Sequence, residues 1–187
     1  MVRGYGRCAN STNRTTSTRT EDWRRSAVLA AIGALVFALG VIVYLTDRNT
    51  SHSTLIPSVV WLAGYNLFGM LGGWLPSFVH TFTFSLFTVA VLPERSEPRY
   101  GVCFAWFAVN AAFEVGQHPQ LSRHLEVFLK GNLELLPLTR ALANYFVRGT
   151  FDLGDIAAAL VGALAAGFVL RLIHNGREKN DAWSKIL

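Results

Sequence analysis

The stretch RGTFDLGDIAAALVGALAAG, Arg148 to Gly167, decides how this chain is read. Its body is Ala, Leu, Val and Gly without a charge, and the apolar run continues to Ile173. A membrane-crossing helix needs roughly 20 such residues. Gly154, Ala158, Gly162 and Ala166 recur every fourth position, a stripe of small side chains along which membrane helices approach closely. The anomaly is at the mouth, where Asp152 and Asp155 sit three residues apart. Ionisable groups that enter a bilayer are costly, face the bundle interior and point to a functional site by default.

The rest of the chain agrees with a membrane setting. Of 187 residues, 51% are hydrophobic and only 16% charged, against about a quarter charged in soluble domains. The length suits one domain, and the apolar blocks are too long for a soluble core. The net charge of +5 comes from Arg and Lys flanking those blocks, with no basic and aromatic residues interleaved. This pattern excludes a nucleic-acid footprint and serves instead as topology information. Cys8 and Cys103 form neither a disulfide framework nor a metal knuckle. Residues 1–26 are too long and polar for a signal peptide and are expected to be a disordered, basic cytoplasmic tail.

The fold class expected is all-α, a polytopic membrane bundle with about four spans over residues 27–46, 75–92, 101–117 and 151–173. Residues 55–74 are equally uncharged, but Pro57, Gly64, Gly69, Gly72, Gly73 and Pro76 interrupt the region. They read as a half-inserted segment or a further span. With four spans and the N-terminus inside, twelve Lys and Arg lie inside and five outside, as the positive-inside rule requires. Residues 174–187 then form a second cytoplasmic tail. In the outer loop, 118–150, Leu121, Leu125, Phe128 and Leu129 recur at helical spacing, and Leu138, Leu142, Tyr145 and Phe146 repeat those offsets after Pro137. Two short amphipathic helices are expected, lying on the outer membrane surface or packed on the bundle.

This topology brings the unusual polar residues to one depth. His80 lies near the outer end of the second span, Glu114 and Gln117 end the third at i, i+3, and Asp152 and Asp155 open the fourth. Each has a plainer reading. Asp152 suits an N-cap and Asp155 the helix dipole, His80 a satisfied buried histidine, and Glu114 a marker of the water interface. Their coincidence at one level favours a shared, outward-facing polar site.

With those residues in place, the chain resembles the VanZ-like family of bacterial membrane proteins from about Leu75 to Gly167. The resemblance rests on LPSFVHTFTFSL around His80, on FEVGQ with its Glu-x-x-Gln, and on GTFDLGDIAAALVGALAAG with its Phe-Asp-x-x-Asp. Ser77 stands where the family often has a lysine, Ala159 where it commonly has an asparagine, and Arg148 is the nearest match to an arginine often found near Gly149. The loop between Gln117 and Asp152 is also longer than usual. The resemblance implies a bacterial cytoplasmic-membrane protein of the cell envelope, with a role akin to glycopeptide resistance.

Chemically, His80 beside carboxylates suits general acid–base work. Asp152 or Asp155 is the expected base, His80 its proton partner and Glu114 the acid or orienting group, with Gln117 and Arg148 contacting substrate. The expected partner is a lipid-linked envelope component, membrane lipid or another membrane protein. No resident cofactor is expected. His80, Glu114, His118, Asp152 and Asp155 are adequate zinc or manganese ligands, so a divalent metal is the alternative, although no His-Glu-x-x-His signature is present. Ion transport is disfavoured, because little that is polar lines the inner halves of the spans and no repeat pairs them. The competing class is a non-catalytic scaffold whose polar cluster locks helix packing.

Overall fold

The computed structural model describes residues 10–47, 68–93, 99–132 and 137–184, and every regular element within them is a helix. Six helices follow in order: α1 (Asn10–Asp47), α2 (Met70–Val91), α3 (Tyr100–Gly116), α4 (Pro119–Asn132), α5 (Pro137–Arg148) and α6 (Leu153–Ser184). Three segments, Trp23–Asp47, Met70–Val91 and Leu153–Gly176, are long and apolar enough to cross a membrane. The third expected span, α3, has 17 residues and is shorter than these. α1 starts ahead of the expected span boundary at residue 27, and α6 runs past residue 173.

α2 is the central helix. It packs on α1, α3 and α6, while α3 also packs on α6 and α4 pairs with α5. α1 and α3 flank α2 without substantial packing on each other. The shared core takes Leu29 from α1, Phe82, Leu86 and Val89 from α2, Cys103 from α3, and Ala163, Ala166 and Leu170 from α6. Leu35 of α1 and Val161, Leu164 and Phe168 of α6 are exposed, the apolar outer face that a bilayer would cover.

Association inside a bilayer has no hydrophobic drive and depends on close van der Waals fit. The small-residue stripe supplies that fit. A methyl group at Gly162 would sit 2.6 Å from the Phe78 carbonyl oxygen, so α6 lies directly on the backbone of α2. Ala166 and Leu170 are fully buried along the same seam. Two of the hydroxyls of α2 are satisfied within the helix. Thr81 donates to the Ser77 carbonyl at 3.1 Å and Ser85 to that of Thr81 at 2.6 Å, the back-bonding that lets such residues sit in a membrane helix.

One expectation is corrected. Gly72, Gly73 and Pro76 do not break the chain before residue 75; they lie inside α2, which starts at Met70. The proline falls in the second turn, where its ring presses on the carbonyl four residues back, that of Gly72. Gly72 is itself needed, because a side chain there would run into the Asp47 carboxylate. Asp47 in turn accepts the Phe68 amide at 2.9 Å and the Thr46 hydroxyl at 3.1 Å. The end of α1 thus latches the entry to α2, and the glycine makes room for the latch. The remainder of the expected half-inserted segment, residues 55–67, lies outside the described residues. The two amphipathic helices appear as α4 and α5, packed on each other, with α5 resting on the end of α3 through Phe113 and Phe146, whose rings stack at 5.7 Å.

Overpacking a close seam costs about 1–3 kcal/mol, so Gly162→Val should lower the melting temperature in detergent clearly. Gly101→Ala should not, since a methyl there meets nothing within 4 Å and alanine favours the helix.

Candidate functional site: a polar groove at one end of the bundle

The site begins with the first turn of α6. Asp152 precedes the helix and caps it, its Oδ1 accepting the Gly154 amide at 2.7 Å, which satisfies one of the orphan donors of a helix start. Its Oδ2 accepts the indole N–H of Trp74 at 3.0 Å. One turn on, Asp155 Oδ1 accepts the Ser77 hydroxyl at 2.7 Å. Trp74 and Ser77 are i, i+3 on α2, matching the i, i+3 spacing of the aspartates. Gly154 leaves space for the Trp74 ring, which any side chain at that position would strike.

Glu114 arrives from the end of α3. It accepts a hydrogen bond from the Asp152 backbone amide and lies within electrostatic range of Asp155 and Asp152. Its Oε2 is buried with no hydrogen-bond partner among the described residues. Gln117, 7% exposed, donates from Nε2 to the Tyr145 hydroxyl at 2.9 Å. Its amide lies against Gly149, where any side chain would collide with it. Gly116 similarly admits the Phe146 ring. These contacts tie α5 and the residues leading into α6 to the end of α3.

A groove of about 950 Å³ opens between α1 and α3, with α2 as its floor and α5 at its mouth. This is at the upper end of the size that holds small molecules and cofactors, about 300–1,000 Å³. His80, Glu114, Gln117, Arg148 and Asp155 all line it, together with Ser77, Asn110 and Tyr145. The walls are apolar, with Phe37 and Val41 from α1, Phe84 from α2, and Val109 and Phe113 from α3. His80 is exposed on the floor, its ring 5.9 Å from that of Phe84.

Five of the six expected site residues therefore share one cavity. Asp152 does not line it; both its oxygens are engaged in capping α6 and holding Trp74. His118 is also outside it, edge-on to the Phe151 ring at 5.4 Å. Among the described residues, no three His, Cys, Asp or Glu side chains come together in a way that could hold a metal ion.

Sequence reasoning missed Trp74 as the partner of Asp152, and it noticed Ser77 only as a departure from a family pattern. The signal was available: two hydrogen-bond donors at i, i+3 on one apolar helix, facing two acceptors at i, i+3 on another. Tyr145 was read for its ring, and its hydroxyl proves to hold Gln117. Comparison with known proteins finds no matching family model, no matching curated protein and no matching solved structure.

The two aspartates should separate in a stability assay. Asp152→Ala removes a cap and should cost about 1–2 kcal/mol; Trp74→Phe should cost about 0.5–1.5 kcal/mol. A double-mutant cycle measured by unfolding in mixed micelles should give a coupling near 0.6 kcal/mol, as for other hydrogen bonds inside membrane bundles. Asp155→Asn should be nearly neutral, because its amide oxygen still accepts from Ser77.

Proposed function

We propose that this chain is a VanZ-like protein of the bacterial cytoplasmic membrane whose groove binds or modifies a lipid-linked envelope component. The observation that carries the reading is the groove itself, apolar along its walls and gathering His80, Glu114, Gln117, Arg148 and Asp155 at its polar end. An amphipathic ligand needs both parts: a surface for its chains and convergent polar groups for its head. The gap between α1 and α3 gives a lateral path from lipid to those groups.

The topology proposed is four spans with both termini in the cytoplasm, the arrangement that puts twelve of the Lys and Arg residues inside. α3 rises only about 25 Å at 1.5 Å per residue, less than the roughly 30 Å hydrocarbon core. A helix that ends in a water-accessible groove need not reach the far headgroups, so its shortness is compatible with a fourth span. The groove then faces outward, with α5 at its mouth.

In this reading Asp155 is the base, His80 exchanges the proton with it, and Glu114 serves as acid or orienting group through its unpartnered oxygen. Gln117 and Arg148 position the head of the ligand. Asp152 supports the site from behind by holding α6 in place. A glycopeptide-resistance-like role follows if the ligand is an envelope precursor. A second reading, a non-catalytic scaffold, draws on the hydrogen bonds of Asp152 and Asp155 across the α2–α6 seam; in that case the carboxylates specify packing alone.

The readings part in cells lacking the endogenous protein and supplied with matched amounts of wild type, Asp155→Asn, Glu114→Gln or Asp152→Asn. Lipid-linked precursors are measured by mass spectrometry, with glycopeptide sensitivity alongside. Loss of a general base or acid costs about 10²–10⁴-fold, so the first two variants should abolish the wild-type change while Asp152→Asn keeps most of it. Wild-type behaviour of all three would leave the scaffold reading.

A further inference from the structure

The side chains lining the groove differ in the hydrogen bonding they have left to offer. Several of their donors are already spent within the bundle. The Ser77 hydroxyl goes to Asp155 at 2.7 Å, the Trp106 indole N–H to the Thr88 hydroxyl at 2.9 Å, and a Gln117 amide N–H to the Tyr145 hydroxyl at 2.9 Å. Asn110 spends a donor too. The Trp106 carbonyl, 3.0 Å away, can only accept, so the Asn110 nitrogen faces it and the side-chain oxygen is left as an acceptor.

Acceptors are what remains. Glu114 Oε2 is buried with no hydrogen-bond partner among the described residues. Asp155 lies within electrostatic range of Glu114, and Asn110 precedes Glu114 by one turn, i, i+4 on the same face of α3. All three line the cavity. An unmet carboxylate oxygen is expensive there, and a ligand that brings N–H donors and positive charge relieves it. The aromatic lining points the same way. Phe84 and Trp106 both border the groove, their rings stacked at 5.0 Å. With its N–H spent, the indole has only its π surface to offer, and aromatic faces attract cations. His80, on the floor, adds a ring nitrogen that accepts when neutral. Arg148 is the exception, an exposed guanidinium on α5 whose forked donors match a phosphate.

We propose that the lipid taken by the groove carries a primary ammonium in its head, accepted by Glu114, Asp155 and the Asn110 side-chain oxygen, with the adjoining phosphate on Arg148. This rests on reading the groove as a lipid site and deepens that reading by naming the head. An ammonium brings three donors and no acceptor, the complement of this acceptor set. A phosphate without the amine would set like charges beside the two carboxylates.

The test uses the full chain in neutral detergent, titrated separately with phosphatidylethanolamine and with its N-acetyl derivative. The derivative has the same acyl chains and phosphate but no ammonium. Bound lipid is counted by native mass spectrometry for wild type, Glu114→Gln, Asp155→Asn, Arg148→Gln and Arg171→Gln, the last removing an exposed arginine from α6. Circular dichroism checks that each variant is folded. Wild type should retain phosphatidylethanolamine about ten- to a hundred-fold more tightly than the derivative, the effect of charged hydrogen bonds. Glu114→Gln and Asp155→Asn should each erase most of that preference by weakening the amine lipid alone. Arg148→Gln should weaken both lipids alike, since both keep the phosphate, and Arg171→Gln should match wild type. Equal retention of the two lipids by wild type would overturn the inference while leaving the groove a lipid site. So would a preference that survives both carboxylate substitutions. Retention of neither lipid would remove the lipid-site reading itself, and this inference with it.

Discussion

The close approach of α6 to α2 at Gly162 is the contact on which the rest of the structure depends. With no side chain at that position, α6 lies on the backbone of Phe78, and Ala166 and Leu170 continue the seam in full burial. This proximity lets the first turn of α6 reach Trp74 and Ser77. α3 packs on the same two helices, which brings Glu114 to the Asp152 amide. The polar end is assembled as a consequence of a fit that starts where a small residue meets backbone.

That polar end has an unusual charge balance. Three carboxylates gather there, and the partners holding them are neutral: an indole, a hydroxyl and backbone amides. Asp155 accepts from the Ser77 hydroxyl and so meets a dipole there, not a cation. Arg148, the one Arg or Lys among the described groove residues, comes from α5. Clusters of carboxylates in clefts are where chemistry or selective binding concentrates.

Much of this was legible in the sequence. The uncharged runs and the Gly154–Ala166 stripe announce spans and a packing seam through length and spacing alone, and the i, i+3 pairs bring Glu114, Gln117 and Asp155 to one level. Three things were not legible. The glycines and proline at 72–76 resemble a break because local propensity cannot see Asp47 arriving from α1 to fill the space they leave. Asp152 suits an N-cap and Asp155 the helix dipole in sequence, but only the direction of each side chain shows that Asp155 lines the groove and Asp152 does not. The void between α1 and α3 depends on which helices fail to pack, a property of the whole bundle that no single segment encodes.

The central claim is geometric: a water-accessible groove on one side of α2 and a sealed seam on the other. Single cysteines, introduced one at a time into Cys8→Ser/Cys103→Ser protein in lipid nanodiscs, test it through their rate of reaction with a charged maleimide. His80→Cys and Asn110→Cys in the groove should label readily. Ala159→Cys and Ala166→Cys in the seam, and Leu164→Cys on the apolar outer face, should not. Seam positions that label as fast as His80→Cys, or groove positions as inert as Leu164→Cys, would contradict this account.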